Sequence, residues 1–172
     1  MKFIMINGPC CAGKSTVINT IVSEHGHLYK LSYDAQKWLF SKYNPNTHSE
    51  DVCKVLGVLA GTVSEMGYDI ICDGARFKDS RETLFDIVKK NGYEIIEINL
   101  EADYEVLLQR FKERVANAAA DTSKPISNTS VERFKELFDI YQVEKNPTVV
   151  TLRTDKLSPE EITKNIFELI AS

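Results

Sequence analysis

A glycine-rich stretch near the start of the chain combines residue types that bind phosphate. It reads Gly8-Pro9-Cys10-Cys11-Ala12-Gly13-Lys14-Ser15 and is followed by Thr16. Two glycines allow the backbone to curl so that successive N–H groups point to one spot, and a following helix N-terminus attracts an anion. Lys14 can reach the β- and γ-phosphates, and the Ser15 hydroxyl can hold Mg²⁺. We therefore expect residues 8–16 to bind ATP and Mg²⁺, with Lys14 also acting in catalysis.

The two adjacent cysteines of this stretch, Cys10 and Cys11, have two interpretations. They either fill the loop as small residues, or they are reactive thiols whose oxidation inactivates the protein, since a helix N-terminus and a lysine lower a thiol pKa. The chain has two further cysteines, Cys53 and Cys72. The four cysteines lack the paired spacing of a zinc site or a disulfide framework, so we expect a reduced, cytoplasmic protein.

Two aspartates follow predicted strands at the points where those strands end. Asp34 follows the second strand and Asp73 the third, and ligands of an open parallel sheet gather at the carboxyl ends of its strands. Phosphoryl transfer uses a carboxylate to orient or deprotonate the acceptor hydroxyl. We expect both to contact the acceptor, Asp34 as the base and Asp73 as a ligand of Mg²⁺-bound water or an alternative base. The structural alternatives are a helix cap for Asp34 and a turn residue for Asp73.

Three arginines could contact the substrates. Arg110 and Arg114 are four residues apart and share one face of a predicted helix. They precede a polar segment, about 115–130, that we interpret as a lid closing over the transferred phosphoryl group. The alternative is a solvated helix face on which Glu113 pairs with them. Arg76 lies three residues after Asp73 and would clamp the acceptor, or has only a structural role.

Short apolar runs alternate with amphipathic ones along the whole chain, which predicts an α/β three-layer fold with a parallel sheet. The predicted strands are Lys2–Asn7, His27–Leu31, Asp69–Cys72, Tyr93–Leu100 and Thr148–Leu152. The predicted helices are Lys14–Glu24, Ala35–Tyr43, Ser49–Met66, Ser80–Lys90, Asp103–Ala118, Ser130–Val143 and one that opens at Ser158-Pro159. We expect one domain over residues 1–172 that includes the lid.

Composition narrows the classes of partner. The 172 residues carry a net charge of −4, which argues against non-specific binding to nucleic acid or to an anionic membrane. The chain has no apolar run of the roughly 18–20 residues needed to span a bilayer. We expect a monomer or homodimer whose partners are ATP and a small-molecule acceptor.

With these elements placed, nearly the whole chain resembles the small P-loop kinases of the nucleoside-monophosphate-kinase-like group. Within that group it is similar to the AAA-type predicted kinase family related to chloramphenicol phosphotransferase, zeta toxin and polynucleotide kinase. The resemblance rests on Gly8–Ser15, Leu31–Asp34, Ile70–Gly74, Leu107–Val115 and Thr148–Asp155.

The resemblance implies a five-stranded sheet in the order 2-3-1-4-5 with a small helical lid. It also implies that Asp34 activates the acceptor, that Arg110 stacks on adenine and that Arg114 contacts phosphates. The loop at Arg153 would border the base. The acceptor motif departs from that of adenylate kinases, which carry Asp-Gly-Phe-Pro-Arg where this chain has Asp73-Gly74-Ala75-Arg76.

The expected activity is that of an ATP-dependent kinase, which moves the γ-phosphoryl group to a small hydroxyl or phosphate acceptor. That acceptor is nucleoside- or nucleotide-like, or antibiotic-like. One alternative is a nucleotide switch, although the Asn-Lys-x-Asp motif of guanine switches does not occur in the sequence. Another alternative is a zeta-like toxin kinase that binds a protein antitoxin.

Overall fold

The computed structural model of the chain describes residues 1–73, 78–120 and 128–171, without the side chains of residues 78 and 79. Its strands are β1 (Lys2–Asn7), β2 (Leu28–Leu31), β3 (Asp69–Cys72), β4 (Glu94–Glu101) and β5 (Val150–Arg153). Its helices are α1 (Lys14–Glu24), α2 (Tyr33–Lys37), α3 (Pro45–Glu65), α4 (Lys78–Lys90), α5 (Tyr104–Ala120), α6 (Val131–Glu144) and α7 (Pro159–Ala171).

The five strands form one parallel sheet in the order β2-β3-β1-β4-β5, which confirms the predicted three-layer α/β/α fold. The central strand β1 is buried on both faces, as its continuous apolar run predicts. Its alternate residues contribute to two separate cores. Ile4 and Ile6 pack with the side chains of α1, α5 and α7, whereas Phe3 and Met5 pack with those of α3 and α4.

The segment between β2 and β3 differs from the prediction. The helix expected over Ala35–Tyr43 is wrong, because α2 covers only Tyr33–Lys37. The next helix begins at Pro45 rather than at Ser49. The Asn44 side chain caps it by accepting a hydrogen bond of 2.9 Å from the Asn46 N–H, and proline is favourable at the first helical position.

The predicted lid, about 115–130, is described only at its two ends. Residues 115–120 continue helix α5, which ends at Ala120, and residues 121–127 lie outside the described part of the chain. The lid therefore remains a prediction. Within the described ranges, each helix is too short or too polar to cross a membrane.

Candidate active site

The loop between β1 and α1 adopts the tight curl that its glycines predict. Gly8 has a φ of 153° and Gly13 a φ of 88°, and Cys11 also lies in the left-handed region at 65°. A Cβ atom on Gly8 would lie 2.4 Å from the carbonyl oxygen of Leu100, so no larger residue fits there. The loop leads directly into the N-terminus of α1, where free backbone N–H groups favour an anion.

Lys14 lies across this loop. Its Nζ donates hydrogen bonds to the carbonyl oxygens of Gly8, at 2.7 Å, and Pro9, at 2.9 Å. Burial lowers the pKa of Lys14, because a desolvated ammonium group is less stable than one in water. A bound phosphate would place further negative charge beside this ammonium group. Ser15 and Thr16 follow with exposed side chains at the same cavity.

One cavity of about 1110 Å³ brings most of the predicted site residues together. Residues 8–16 form its floor, and Asp34, Asp73, Arg110 and Arg114 also line it. Arg76 lies outside the described residues, and Arg153 does not line the cavity.

Asp73 is held firmly at the carboxyl end of β3. Its Oδ2 accepts a hydrogen bond of 2.5 Å from the Ser32 hydroxyl, and its Oδ1 accepts one of 3.0 Å from the Tyr33 backbone N–H. Burial raises the pKa of Asp73, and these two hydrogen bonds oppose that rise. Because each oxygen accepts one of these hydrogen bonds, the Asp73 carboxylate links the end of β3 to the residues that follow β2.

Asp34 lies in the first turn of α2 and is more accessible, with a side chain that is 63% exposed. It forms an ion pair with Lys37, whose side chain is 6% exposed. The cap of α2 is Ser32, whose hydroxyl accepts a hydrogen bond of 3.3 Å from the Ala35 N–H. The alternative interpretation of Asp34 as a helix cap is therefore wrong.

Ser32 thus has two roles, and its loss should be more costly than that of an ordinary cap. We expect Ser32→Ala to lower the free energy of unfolding by about 2 kcal/mol, because it removes both the cap of α2 and the hydroxyl that Asp73 binds. Ser130→Ala is the matched control, since Ser130 caps the exposed start of α6 and should cost about 1 kcal/mol. Urea unfolding followed by circular dichroism measures both. Equal losses would contradict the role assigned to Asp73.

Arg110 connects the phosphate loop to the loop after β5. Its Nη2 donates to the Thr154 carbonyl oxygen at 2.7 Å, and its Nη1 donates to the Thr154 hydroxyl at 2.9 Å and the Cys11 carbonyl oxygen at 3.5 Å. Arg114 is exposed, with its Nη1 4.0 Å from Cys10 Sγ. Glu113 accepts a hydrogen bond from Gln109 instead of pairing with either arginine.

Arg153 forms ion pairs with two nearby carboxylates. Its Nη2 pairs with Asp103 and with Asp155, and its Nε donates to Asp155 Oδ1 at 2.9 Å. These contacts raise the pKa of Arg153 and lower that of Asp155. The neighbouring Thr154, rather than Arg153, lines the cavity. A role for Arg153 in binding the nucleotide stays a prediction.

Four basic residues that the sequence did not single out also line the cavity: Lys37, Arg81, Arg133 and Lys145. Arg81 comes from α4 and its Nη1 lies 3.1 Å from Glu97 Oε1, which also accepts a hydrogen bond of 2.7 Å from the Asn7 side chain. The Arg81–Glu97 contact depends on the packing of helix α4 against strand β4, so no local pattern reveals it. Arg133 lies in the first turn of α6. Its position just after the predicted lid is the sequence feature that could have identified it as a residue of the site.

Apolar side chains also line the cavity. Trp38, Tyr43 and Pro45 come from the segment after α2, and Leu137, Ile140 and Tyr141 come from helix α6. Trp38 is 45% exposed and Ile140 is 39% exposed, which is high for large apolar side chains. Pockets for small molecules combine such walls with a few placed polar groups.

A protein-family model described as an AAA domain matches residues 4–135. This match covers more than half of the chain, so the chain belongs to the AAA domain family. A search of curated proteins found no match.

Solved structures resemble the chain over almost its full length. A presumed kinase from Chloroflexus aurantiacus has a TM-score of 0.74 at 18% identity, covering 97% of each chain. The APS kinase of Mycobacterium tuberculosis, in complex with AMPPNP and APS, has a TM-score of 0.67 at 14% identity, covering 99% of this chain and 98% of the other. A sugar kinase from Janibacter sp. has a TM-score of 0.68 at 16% identity, covering 99% and 95%. The shared feature is the P-loop kinase fold.

Proposed function

We propose that this member of the AAA domain family is an ATP-dependent phosphotransferase of the cytoplasm. It moves the γ-phosphoryl group of ATP to a hydroxyl or phosphate group of a small molecule that is nucleoside- or nucleotide-like, or antibiotic-like. The similarity to an APS kinase that binds AMPPNP and to a sugar kinase supports this class of reaction.

The observation that carries the proposal is the shared cavity. The phosphate loop and Asp34 line the same space, and apolar side chains of other segments line it as well. A protein that only hydrolyses its nucleotide needs a position for one water molecule, whereas this cavity of about 1110 Å³ is lined by apolar side chains in addition to the phosphate loop. The cavity therefore fits an acceptor molecule whose hydroxyl lies between Asp34 and the γ-phosphate.

The residues divide into those that bind ATP and those that act on the acceptor. Lys14 exchanges its contacts with the loop carbonyl oxygens for the β- and γ-phosphates. Arg110, which contacts both the phosphate loop and Thr154, stacks on the adenine. Arg114 reaches the transferred phosphoryl group from α5. Asp34 orients and deprotonates the acceptor, and Arg76, three residues after Asp73 in the sequence, contacts the acceptor.

The available oxygen ligands fit Mg²⁺ held largely through ATP and water. Ser15 offers an exposed hydroxyl beside the loop, and the fixed Asp73 carboxylate can bind a water of the ion. Within the described part of the chain, no three acidic, cysteine or histidine side chains cluster to hold a metal ion by themselves. Mg²⁺ in kinases typically keeps several waters and binds through one or two carboxylates and the phosphates, neutralising charge on them.

The activity can be tested by a coupled ADP-release screen over nucleosides, nucleotides, sugars and aminoglycoside- or phenicol-like alcohols. Mass spectrometry of each positive reaction must show a product that has gained a phosphoryl group. A Lys14→Ala preparation, purified in the same way, separates true transfer from contaminating kinases. Hydrolysis of ATP that no acceptor stimulates, with no phosphorylated product, would favour a nucleotide switch and overturn the proposal. Phosphoryl transfer that is blocked by stable binding of a protein antitoxin would instead favour the toxin-like alternative.

A further inference from the structure

Two thiols face each other inside the phosphate loop. Cys10 and Cys11 are both half-buried, both line the cavity, and their sulfur atoms are 3.7 Å apart. The other cysteines lie elsewhere: Cys53 accepts a hydrogen bond of 3.2 Å from the Ser80 hydroxyl, and Cys72 is buried in β3. A covalent change at Cys10 and Cys11, unlike one at Cys53 or Cys72, would therefore alter the loop that binds phosphate.

The two thiols have opposite electrostatic environments. The hydrogen bond from Cys11, aided by the charges of Lys14 and Arg114, lowers the pKa of Cys10 to about 6 against the effect of burial. The same hydrogen bond and burial raise the pKa of Cys11. At neutral pH the pair thus consists of a thiolate at Cys10, which is the nucleophilic form, and a protonated neighbour at Cys11.

We propose that this pair is an oxidation site at which hydrogen peroxide forms a Cys10–Cys11 disulfide and so prevents nucleotide binding. The Cys10 thiolate attacks one peroxide oxygen, the O–O bond breaks, and the departing hydroxide takes up a proton to leave as water. Cys11 sulfur then attacks the sulfenic acid at Cys10, the S–O bond breaks, and a second water leaves with the thiol proton. Two thiols lose two electrons in total, and one peroxide gains them.

Closing this bond must reshape the loop. The sulfur atoms have to approach from 3.7 Å to about 2.05 Å. Neighbouring Cα atoms lie about 3.8 Å apart, below the usual range of roughly 4.4–6.8 Å for disulfides, so the new ring is strained. Cys11 already has a φ of 65°, which leaves its backbone little freedom to adapt. The strain therefore displaces the loop N–H groups that bind phosphate, and it also makes the disulfide easy to reduce.

Binding of a fluorescent ATP analogue tests the proposal without requiring any acceptor, so its outcome is independent of whether phosphoryl transfer is found. Loss of one hydrogen bond to a charged phosphate weakens binding by at least about tenfold. We expect the affinity for the ATP analogue to fall by at least about tenfold after treatment with one equivalent of hydrogen peroxide. Dithiothreitol should restore that affinity. Peptide mass spectrometry should show the loss of two hydrogens from the peptide that contains Cys10 and Cys11.

Cys10→Ser, compared with its own reduced form, should lose the reversible response to peroxide. Cys11→Ser should stop at the sulfenic acid of Cys10, so its peptide gains one oxygen instead of losing two hydrogens. Cys53→Ser is the matched control and should respond as the unaltered protein does. Phenylarsine oxide, which bridges two close thiols, should bind the reduced protein and be displaced by saturating ATP. Unchanged affinity after oxidation, oxidation of Cys10 without a disulfide, or an equal response in the Cys10→Ser variant would overturn the proposal.

Discussion

Lys14→Ala is expected to lower kcat/KM for phosphoryl transfer by about 10²–10³-fold, the effect of removing one positioned donor from a transition state. Lys14 Nζ already lies over the loop, held by the Gly8 and Pro9 carbonyl oxygens, so little motion brings it to the phosphates. Because the charge on the γ-phosphoryl oxygens spreads as the bond breaks, the ammonium group acts on the reaction as well as on binding.

Steady-state kinetics at varied ATP, with unfolding measured in parallel, separates this role from a structural one. Burial lowers the pKa of Lys14, so the folded protein holds this charge at a cost, and its removal should not reduce the free energy of unfolding. Lys164→Ala, an exposed change on α7, is the matched control and should retain full activity. A Lys14→Ala protein with normal kcat/KM would contradict the role of the loop in transfer.

The sequence predicts the phosphate loop and the positions of the strands well because both depend on local signals, whereas the order of the strands in the sheet came from the family resemblance. β1 and β3 have the predicted bounds, since each is a short apolar run closed by residues that favour turns. The curl of the loop depends on Gly8 and Gly13, whose positions in the motif already require a positive φ. A chain that joins a buried strand to a helix through such glycines has few alternative conformations.

The segment after β2 was harder to predict because two caps compete there. The run from Ala35 to Tyr43 has helix-forming residues, but α2 ends at Lys37 and Asn44 starts a new helix. Ser32, two residues before Asp34, is the N-cap of α2, and Asp34 lines the cavity instead of capping the helix. Both acidic and hydroxyl residues cap helices well, so the pattern alone does not choose between them.

Contacts between residues that are distant in the sequence explain which site residues the sequence analysis missed or misplaced. Arg81 lines the cavity and pairs with Glu97, yet the two residues come from helix α4 and strand β4 and meet only through the packing of that helix against the sheet. Arg153 has the charge of a ligand-binding residue, but Asp103 and Asp155 engage it. The family resemblance indicates which loop borders the base, whereas the identity of the side chain that faces the cavity depends on such tertiary ion pairs.

Asp34→Asn is expected to lower kcat by about 10²–10⁴-fold while the affinity for ATP stays nearly constant, because general-base catalysis contributes in that range. Asp34 suits this role better than Asp73, since both Asp73 oxygens are occupied by Ser32 and Tyr33 whereas the Asp34 side chain is 63% exposed at the cavity. Single-turnover rates with the acceptor found in the screen, together with equilibrium binding of ATP, measure the two effects. Asp139→Asn, an exposed change on α6, is the control.

The ion pair with Lys37 provides a second test, because the buried lysine could account for an effect of Asp34→Asn by its altered environment. Asp34→Asn combined with Lys37→Met removes both charges and restores electrostatic balance. If Asp34 is the base, the double variant stays inactive, because methionine and asparagine accept no proton from the acceptor hydroxyl. If Asp34 only balances Lys37, the double variant regains much of the activity. That recovery, or full activity in Asp34→Asn, would contradict the assignment and return the role of base to Asp73.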